Sequence, residues 1–159
     1  MGDGRPVEVR RYVDGSDRSQ LEAFTCARYG EKWSEAAQQV IRDAPAAVGD
    51  DDIDCQILVA DDDASVVGVV VFGADSDGRD VIHSLGVVIS RQRQGIGSRL
   101  KRAVMAVNAG TDPDRSVVSH VHRNNYRMIR LNDKLGVKKE KDPLDGEYWI
   151  AVIRVAPED

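Results

Sequence analysis

The chain has 159 residues and a net charge of −5, with 27 Asp and Glu set against 22 Lys and Arg. That length supports one domain with a real core, taken as residues 1–159, and is too short for two. An acidic balance argues against a large nucleic-acid footprint, and no apolar run approaches the ~20 residues needed to span a membrane. The opening MGDGRPVEVRR lacks the apolar segment of a signal peptide, and Pro6 stands where a myristoylation motif needs Ser or Thr. Cys26 and Cys55 show no metal-ligand spacing, so both read as reduced core residues of a cytoplasmic protein.

Val7 to Val13 alternates well enough to form a first strand. Gly15-Ser16-Asp17 then breaks it, and Asp17 with Gln20 imitates a capping box for a helix carrying Leu21, Phe24, Thr25 and Arg28. A second helix places Trp33, Ala36, Ala37, Val40 and Ile41 on one stripe and is expected to stop before Pro45. Residues 43 to 80 hold eleven aspartates and a single base, Arg79. Two strands, Cys55–Ala60 and Val66–Phe72, lie inside this acidic stretch, and its loops read mostly as solvated turns. They would also present a negative surface that attracts a cationic amine.

A β-branched run from Val81 to Ile89 reads as a buried strand. Beyond it, Ile96, Leu100, Ala103, Val104 and Val107 recur at helical spacing, so a helix begins near Gly97. Residues 81 to 111 contain no acid, where an even spread would place about five. Arg91, Arg93, Arg99, Lys101 and Arg102 stand there instead. A glycine turn that opens a helix, surrounded by cations and cleared of carboxylates, is suited to phosphate. After a turn at Gly110–Asp114 come a strand at Val117–His122, a helix from Asn124-Asn125 through Leu135 that ends at Gly136, a polar connection holding a short strand, and a last strand at Glu147–Val155.

The loop is neither a P-loop nor a dinucleotide fingerprint, because the required G-K-[ST] is missing and position 100 is Leu100 rather than Gly. What fits is Gln92-x-x-Gly95-x-Gly97 between a strand and a helix. In this the sequence resembles the GCN5-related N-acetyltransferase (GNAT) superfamily, whose acetyl-CoA motif is Q/R-x-x-G-x-G/A. The element order β-α-α-β-β-β-α-β-α-β-β matches the fold the resemblance implies: an α/β (α+β) protein with a central mixed sheet flanked by helices.

The resemblance implies a set of roles. Leu85, Gly86 and Val87 would line the pantetheine arm of acetyl-CoA, the co-substrate. Gln92, Arg93, Gln94, Gly95, Ile96, Gly97 and Ser98 would hold its diphosphate. Asn125, eleven residues before Gly136, falls where the family Asn contacts the cofactor, and also reads as a helix cap. The family tyrosine that protonates the leaving thiolate corresponds to Asn132, an amide that can donate a hydrogen bond but no proton at neutral pH. Either Asn132 does that weaker job, or Tyr126 or another donor substitutes, or the thiolate leaves unassisted.

His83 sits where some relatives carry a base for the acceptor amine, and also reads as a core strand histidine. A Val87 N–H would stabilise the oxyanion. Tyr29 and Trp33, otherwise core aromatics, would contact the acceptor. Three histidines, His83, His120 and His122, fall on neighbouring strands without a ligand pattern, so no metal is expected. The expected function is acetyl transfer to a primary amine by direct attack in a ternary complex, with a homodimer compatible. The alternatives are a non-catalytic acetyl-CoA-binding regulator, a toxin acetylating aminoacyl-tRNA, and a different α/β nucleotide-binding domain.

Overall fold

The computed structural model describes residues 6–26, 31–48, 55–74, 80–111, 117–122, 129–130, 132–133, 138–141 and 148–153. Its elements are β1 (Glu8–Arg11), α1 (Asp14–Glu22), α2 (Glu31–Ala47), β2 (Gln56–Asp61), β3 (Val66–Ala74), β4 (Asp80–Val87), α3 (Ile96–Thr111), β5 (Val117–His122), β6 (Lys138–Lys141) and β7 (Tyr148–Ile153). Seven strands form one sheet in the order β1-β2-β3-β4-β5-β7-β6. All neighbours are antiparallel except β4 and β5, which α3 connects as a parallel pair. Among the described residues, no helix is long and apolar enough to cross a membrane.

The alternating side chains of β2 and β3 supply both faces of the sheet. Leu58, Ala60, Val70 and Phe72 join Ile82, Leu85 and Val87 against Ile96, Leu100 and Val104 of α3. Ile57, Val59, Val69 and Val71 pack on the other face against Leu21, Phe24, Ile41 and Ala44. Gly68 lets α3 seat closely: a Cβ there would lie 3.0 Å from Ile96 Cγ2 and 3.1 Å from Leu100 Cδ1.

Several sequence expectations change. Asp17 is not a helix cap. It lies inside α1, almost fully buried, where it takes two hydrogen bonds from the Arg10 guanidinium at 2.7 and 2.9 Å and one from the Val13 N–H. The Gln20 side chain accepts from the Val66 N–H across to the sheet, so the capping box does not form. α1 ends before Phe24, which packs into the core from the segment beyond it.

α2 runs through Pro45 to Ala47. The helix ends two residues past the proline, so little of it is left to disrupt, and burial of Ala44 and Pro45 offsets the lost N–H bond and the local preference against a helix there. Val40 is exposed, so the inward stripe runs through Ile41 and Ala44 instead. α3 continues past Gly110 to Thr111. The aspartates of the β2–β3 turn are not simply solvated: Asp61 pairs with Arg10 at 2.9 Å, and Asp62 is buried. Of the helix expected over Asn124–Leu135, Ile129, Arg130, Asn132 and Asp133 are described, and these are helical.

Candidate active site

The site is built on the one parallel pair of the sheet. β4 and β5 pair only from Asp80–Ile82 to Val117–Ser119, and past that point the described strands show no further pairing. The polar groups of β4 point in directions that follow from its other edge. The Val88 N–H donates to the Val67 carbonyl at 2.9 Å, so Val88 faces Val67 as a hydrogen-bonded antiparallel pair. The alternation of such pairs then turns the N–H and C=O groups of Gly86 toward β3, and those of Leu85 and Val87 away from it, toward the side β5 has left. This opening has a polar backbone edge on its β4 side.

His83 stands at the mouth of the fork. Ile82 pairs with Phe72 and Ser84 with Val71, so His83 is the extra residue of a β-bulge, at the first position beyond the β4–β5 pairing. Its side chain is exposed and belongs to neither core cluster. Ser84, on the far side of the bulge, donates to the Ala37 carbonyl of α2 at 3.1 Å. Gly86 admits the segment after α1: a Cβ there would lie 3.0 Å from both Cys26 Sγ and Phe24 Cε1. Cys26 also bridges to Val88, which brings the chain between α1 and α2 against the open end of β4. Burial pushes the Cys26 thiol up to about 11, so at neutral pH it is an inert packing group.

Beyond Val88 a single 3-10 turn at Ile89–Arg91 leads into the bend that opens α3. Arg93 and Gly95 both take left-handed backbone conformations, at φ 67° and 80°. A Cβ on Gly95 would have space around it, so the dihedral angle is what demands glycine there. The Arg99 N–H makes the first helical bond, to the Gly95 carbonyl at 3.1 Å. The N–H groups of Ile96, Gly97 and Ser98 therefore have no acceptor within the helix and gather at the positive end of its dipole.

The bend is held from beneath. Gln92 Nε2 donates to the Val87 carbonyl at 3.0 Å. Arg91 is buried, donating to Asp62 at 2.8 Å and to Gln94 Oε1 at 2.8 Å. Asp62 also accepts the Ala64 and Ser65 N–H groups at 3.0 and 2.9 Å, which ties the β2–β3 turn to the phosphate-loop candidate.

Two of the five cations read from sequence as phosphate-facing therefore do other work. Arg91 is spent on Asp62, and Lys101 is fully buried with its ammonium hydrogen-bonded to Asn132 Oδ1. Arg93, Arg99 and Arg102 are exposed. Burial lowers the Lys101 pKa from 10.5 to about 7. Asn132 is itself buried, and its accepted bond fixes the amide with the oxygen toward Lys101, leaving its N–H₂ to face elsewhere.

Sequence reasoning counted Lys101 and Arg91 as loop cations and missed the burial of the one and the pairing of the other with Asp62. The signal for Lys101 was its place, one step past the core residue Leu100 on the same helix. Tyr29, Asn125 and Tyr126 lie outside the described residues, as does the side chain of Trp33. Among the described residues no three His, Cys, Asp or Glu side chains converge as a metal site.

The Acetyltransferase (GNAT) family model matches residues 18–137. No curated protein sequence matches the chain. Among solved structures, PaiA N-acetyltransferase from Thermoplasma acidophilum in complex with coenzyme A is similar at a TM-score of 0.72 and 17% identity, covering 94% of this chain and 99% of its own. A structure described as a bacterial toxin gives 0.71 at 14% identity, covering 94% and 90%. Arabidopsis thaliana NAA60 in complex with acetyl-CoA gives 0.61 at 18%, covering 92% and 97%. The split parallel pair, the N–H-lined bend and a family match over most of the chain lead to one assignment: the protein belongs to the acetyltransferase (GNAT) family.

Proposed function

We propose that the protein transfers an acetyl group from acetyl-CoA to a primary amine by direct attack within a ternary complex. One observation carries this reading: β4 turns the backbone groups of Leu85 and Val87 into a gap that β5 does not fill, with a bend rich in N–H groups just beyond it. The pantetheine arm of acetyl-CoA pairs with that edge as an added strand, and its amides meet the outward-turned groups of Leu85, beside the Val87 carbonyl that holds Gln92. The diphosphate rests on the N–H groups of Gly95–Ser98 at the start of α3. Likeness to structures holding coenzyme A or acetyl-CoA supports the choice of ligand.

In this reading the Val87 N–H, turned into the gap, stabilises the oxyanion that forms on the acetyl carbonyl. The acceptor enters from the side of α1 and α2, and the aspartate-rich sequence of residues 43 to 80 favours a cationic amine. An alkylammonium must lose a proton before it can attack, and in this reading His83, exposed at the fork, takes it. The N–H₂ of Asn132, with Tyr126 near it in sequence, steadies the departing sulfur.

A second reading, an acetyl-CoA-binding regulator without turnover, draws on the amide at Asn132 in place of a phenol. Thiol release from acetyl-CoA, measured across a panel of polyamine, aminoglycoside, arylalkylamine and peptide acceptors, separates the two: binding without transfer to any of them favours the regulator. The loop assignment is tested by Gly97→Glu, which sets a carboxylate against the diphosphate. Calorimetry should show acetyl-CoA affinity falling by about 100-fold or more, because like charges in contact cost several kcal/mol. Unchanged affinity refutes the loop.

A further inference from the structure

We infer that Lys101, which no part of the sequence motif marks, is the proton donor to the CoA thiolate as it leaves. The inference rests on the acetyl-transfer reading and adds the group that the motif lacks at Asn132. The placement comes from three elements. Lys101 follows Gly97 and Ser98 by four and three residues on α3, and helical side chains lean toward the N-terminus, so its chain lies over the turn that holds the diphosphate. α3 packs on β3 and β4 through Ile96, Leu100 and Val104. Asn132 belongs to the helical segment that follows β5. The Lys101–Asn132 hydrogen bond therefore joins the two elements that flank the opened β4–β5 pair.

The electrostatics favour transient company from an anion. Lys101 is fully buried, and the partner that the structure gives its ammonium is a neutral amide. Among the described side chains near it, Arg99 and Arg102 on α3, Arg130 and Asp133 beside Asn132, and His83 on β4 are exposed, and Arg10 on β1 and Asp61 on β2 are paired with each other. Burial alone brings the Lys101 pKa to about 7. A free thiol ionises near ~8.5, so passing a proton from this ammonium to a thiolate runs downhill.

The step balances. The acceptor nitrogen forms the C–N bond to the acetyl carbon, and the adduct collapses with the C–S electron pair moving to sulfur. An Nζ proton of Lys101 goes to that sulfur, releasing CoA as a thiol and leaving a neutral amine. An acceptor that arrives as an ammonium first gives one proton through His83 to solvent, the attacking nitrogen gives a second to His83 as the amide forms, and after the products depart His83 sheds that proton while solvent recharges Lys101.

The test uses hydroxylamine as acceptor, since it is largely neutral at pH 7 and needs little help from His83. Acetohydroxamate formation from acetyl-CoA is followed from pH 6 to 9 for the wild type, Lys101→Met and Lys101→Gln. Calorimetry with CoA runs alongside. In the wild type the rate should fall as pH rises through the Lys101 pKa, because only the protonated amine donates. Both variants should bind CoA within about threefold of the wild type yet react at least about 30-fold more slowly at pH 6.5, without that alkaline limb. Gln can keep the hydrogen bond to Asn132 but carries no labile charge, so recovery of the rate in Lys101→Gln reduces Lys101 to a structural role and overturns the inference. An alkaline limb that persists in Lys101→Met overturns it equally. Absence of CoA binding or of transfer in the wild type itself overturns the acetyl-transfer reading, and this inference with it.

Discussion

Lys101→Met should stabilise the protein by an amount that depends steeply on pH. A lysine whose pKa is 10.5 in the unfolded chain and about 7 in the folded one gives up its proton on folding at any pH between those values. The unfolded state then binds more protons than the native state, so wild-type stability rises with pH across that window. Below about pH 7 both states are charged and the full penalty applies, about 5 kcal/mol at roughly 1.4 kcal/mol per pH unit. The same arithmetic leaves about 2 kcal/mol at pH 9 and under about 1 kcal/mol at pH 10. Methionine removes this penalty and fills a similar volume, but it leaves the buried Asn132 oxygen without its donor, at a cost of about 1–3 kcal/mol. The variant should therefore be the more stable protein at pH 6 by a few kcal/mol, and should lose the advantage by about pH 10. Urea denaturation of both proteins at several pH values measures this directly. Parallel stability curves would show that Lys101 does not titrate on folding, and would remove the electrostatic basis given to it here.

Asp62→Asn should strand the buried Arg91 charge while keeping an acceptor oxygen for the Ala64 and Ser65 N–H groups; a stability loss of about 3–5 kcal/mol and weaker acetyl-CoA binding are expected, against under about 1 kcal/mol if the pair is idle. Gly68→Val should push its new side chain into Ile96 and Leu100, costing about 1–3 kcal/mol by chemical denaturation and lowering acetyl-CoA affinity as the start of α3 shifts. His83→Ala, at an exposed site, should leave stability nearly unchanged and lower turnover by about 10²-fold near neutral pH. That loss should shrink above about pH 10, where much of an alkylamine acceptor is already neutral; a small, pH-independent effect would take His83 out of the mechanism.

Periodicity carried most of the fold. The run at residues 81–89 and the 3.6-residue repeat from Ile96 to Val107 locate β4 and α3 closely, because both elements bury one continuous apolar surface. Local signals failed where a tertiary partner outweighed them. Asp17 has the spacing of a cap, yet Arg10 on β1 and the Val13 N–H claim its carboxylate, and α1 starts four residues earlier than the cap reading required. Pro45 signals a stop, yet the helix carries it into the buried side of its last turn. The position of the bulge, at His83, is not written in the residue types, since a bulge is a matter of register between two strands.

The site shows the same division more sharply, because charge in a sequence carries no depth. Five cations in an acid-free window suggest a uniform positive cradle, but only Arg93, Arg99 and Arg102 are exposed, and the N–H groups come from the backbone bend itself. Arg91 anchors the loop through a carboxylate 29 residues earlier in the chain, so its role became visible only when β2, β3 and the bend met. Lys101 follows Leu100 on the inward side of α3, where an unpaired ammonium costs several kcal/mol. A surface charge is cheap and explains little. A fully buried one in contact with Asn132 asks for a compensating anion, and in the proposed acetyl transfer the anion that forms and then disappears is the thiolate.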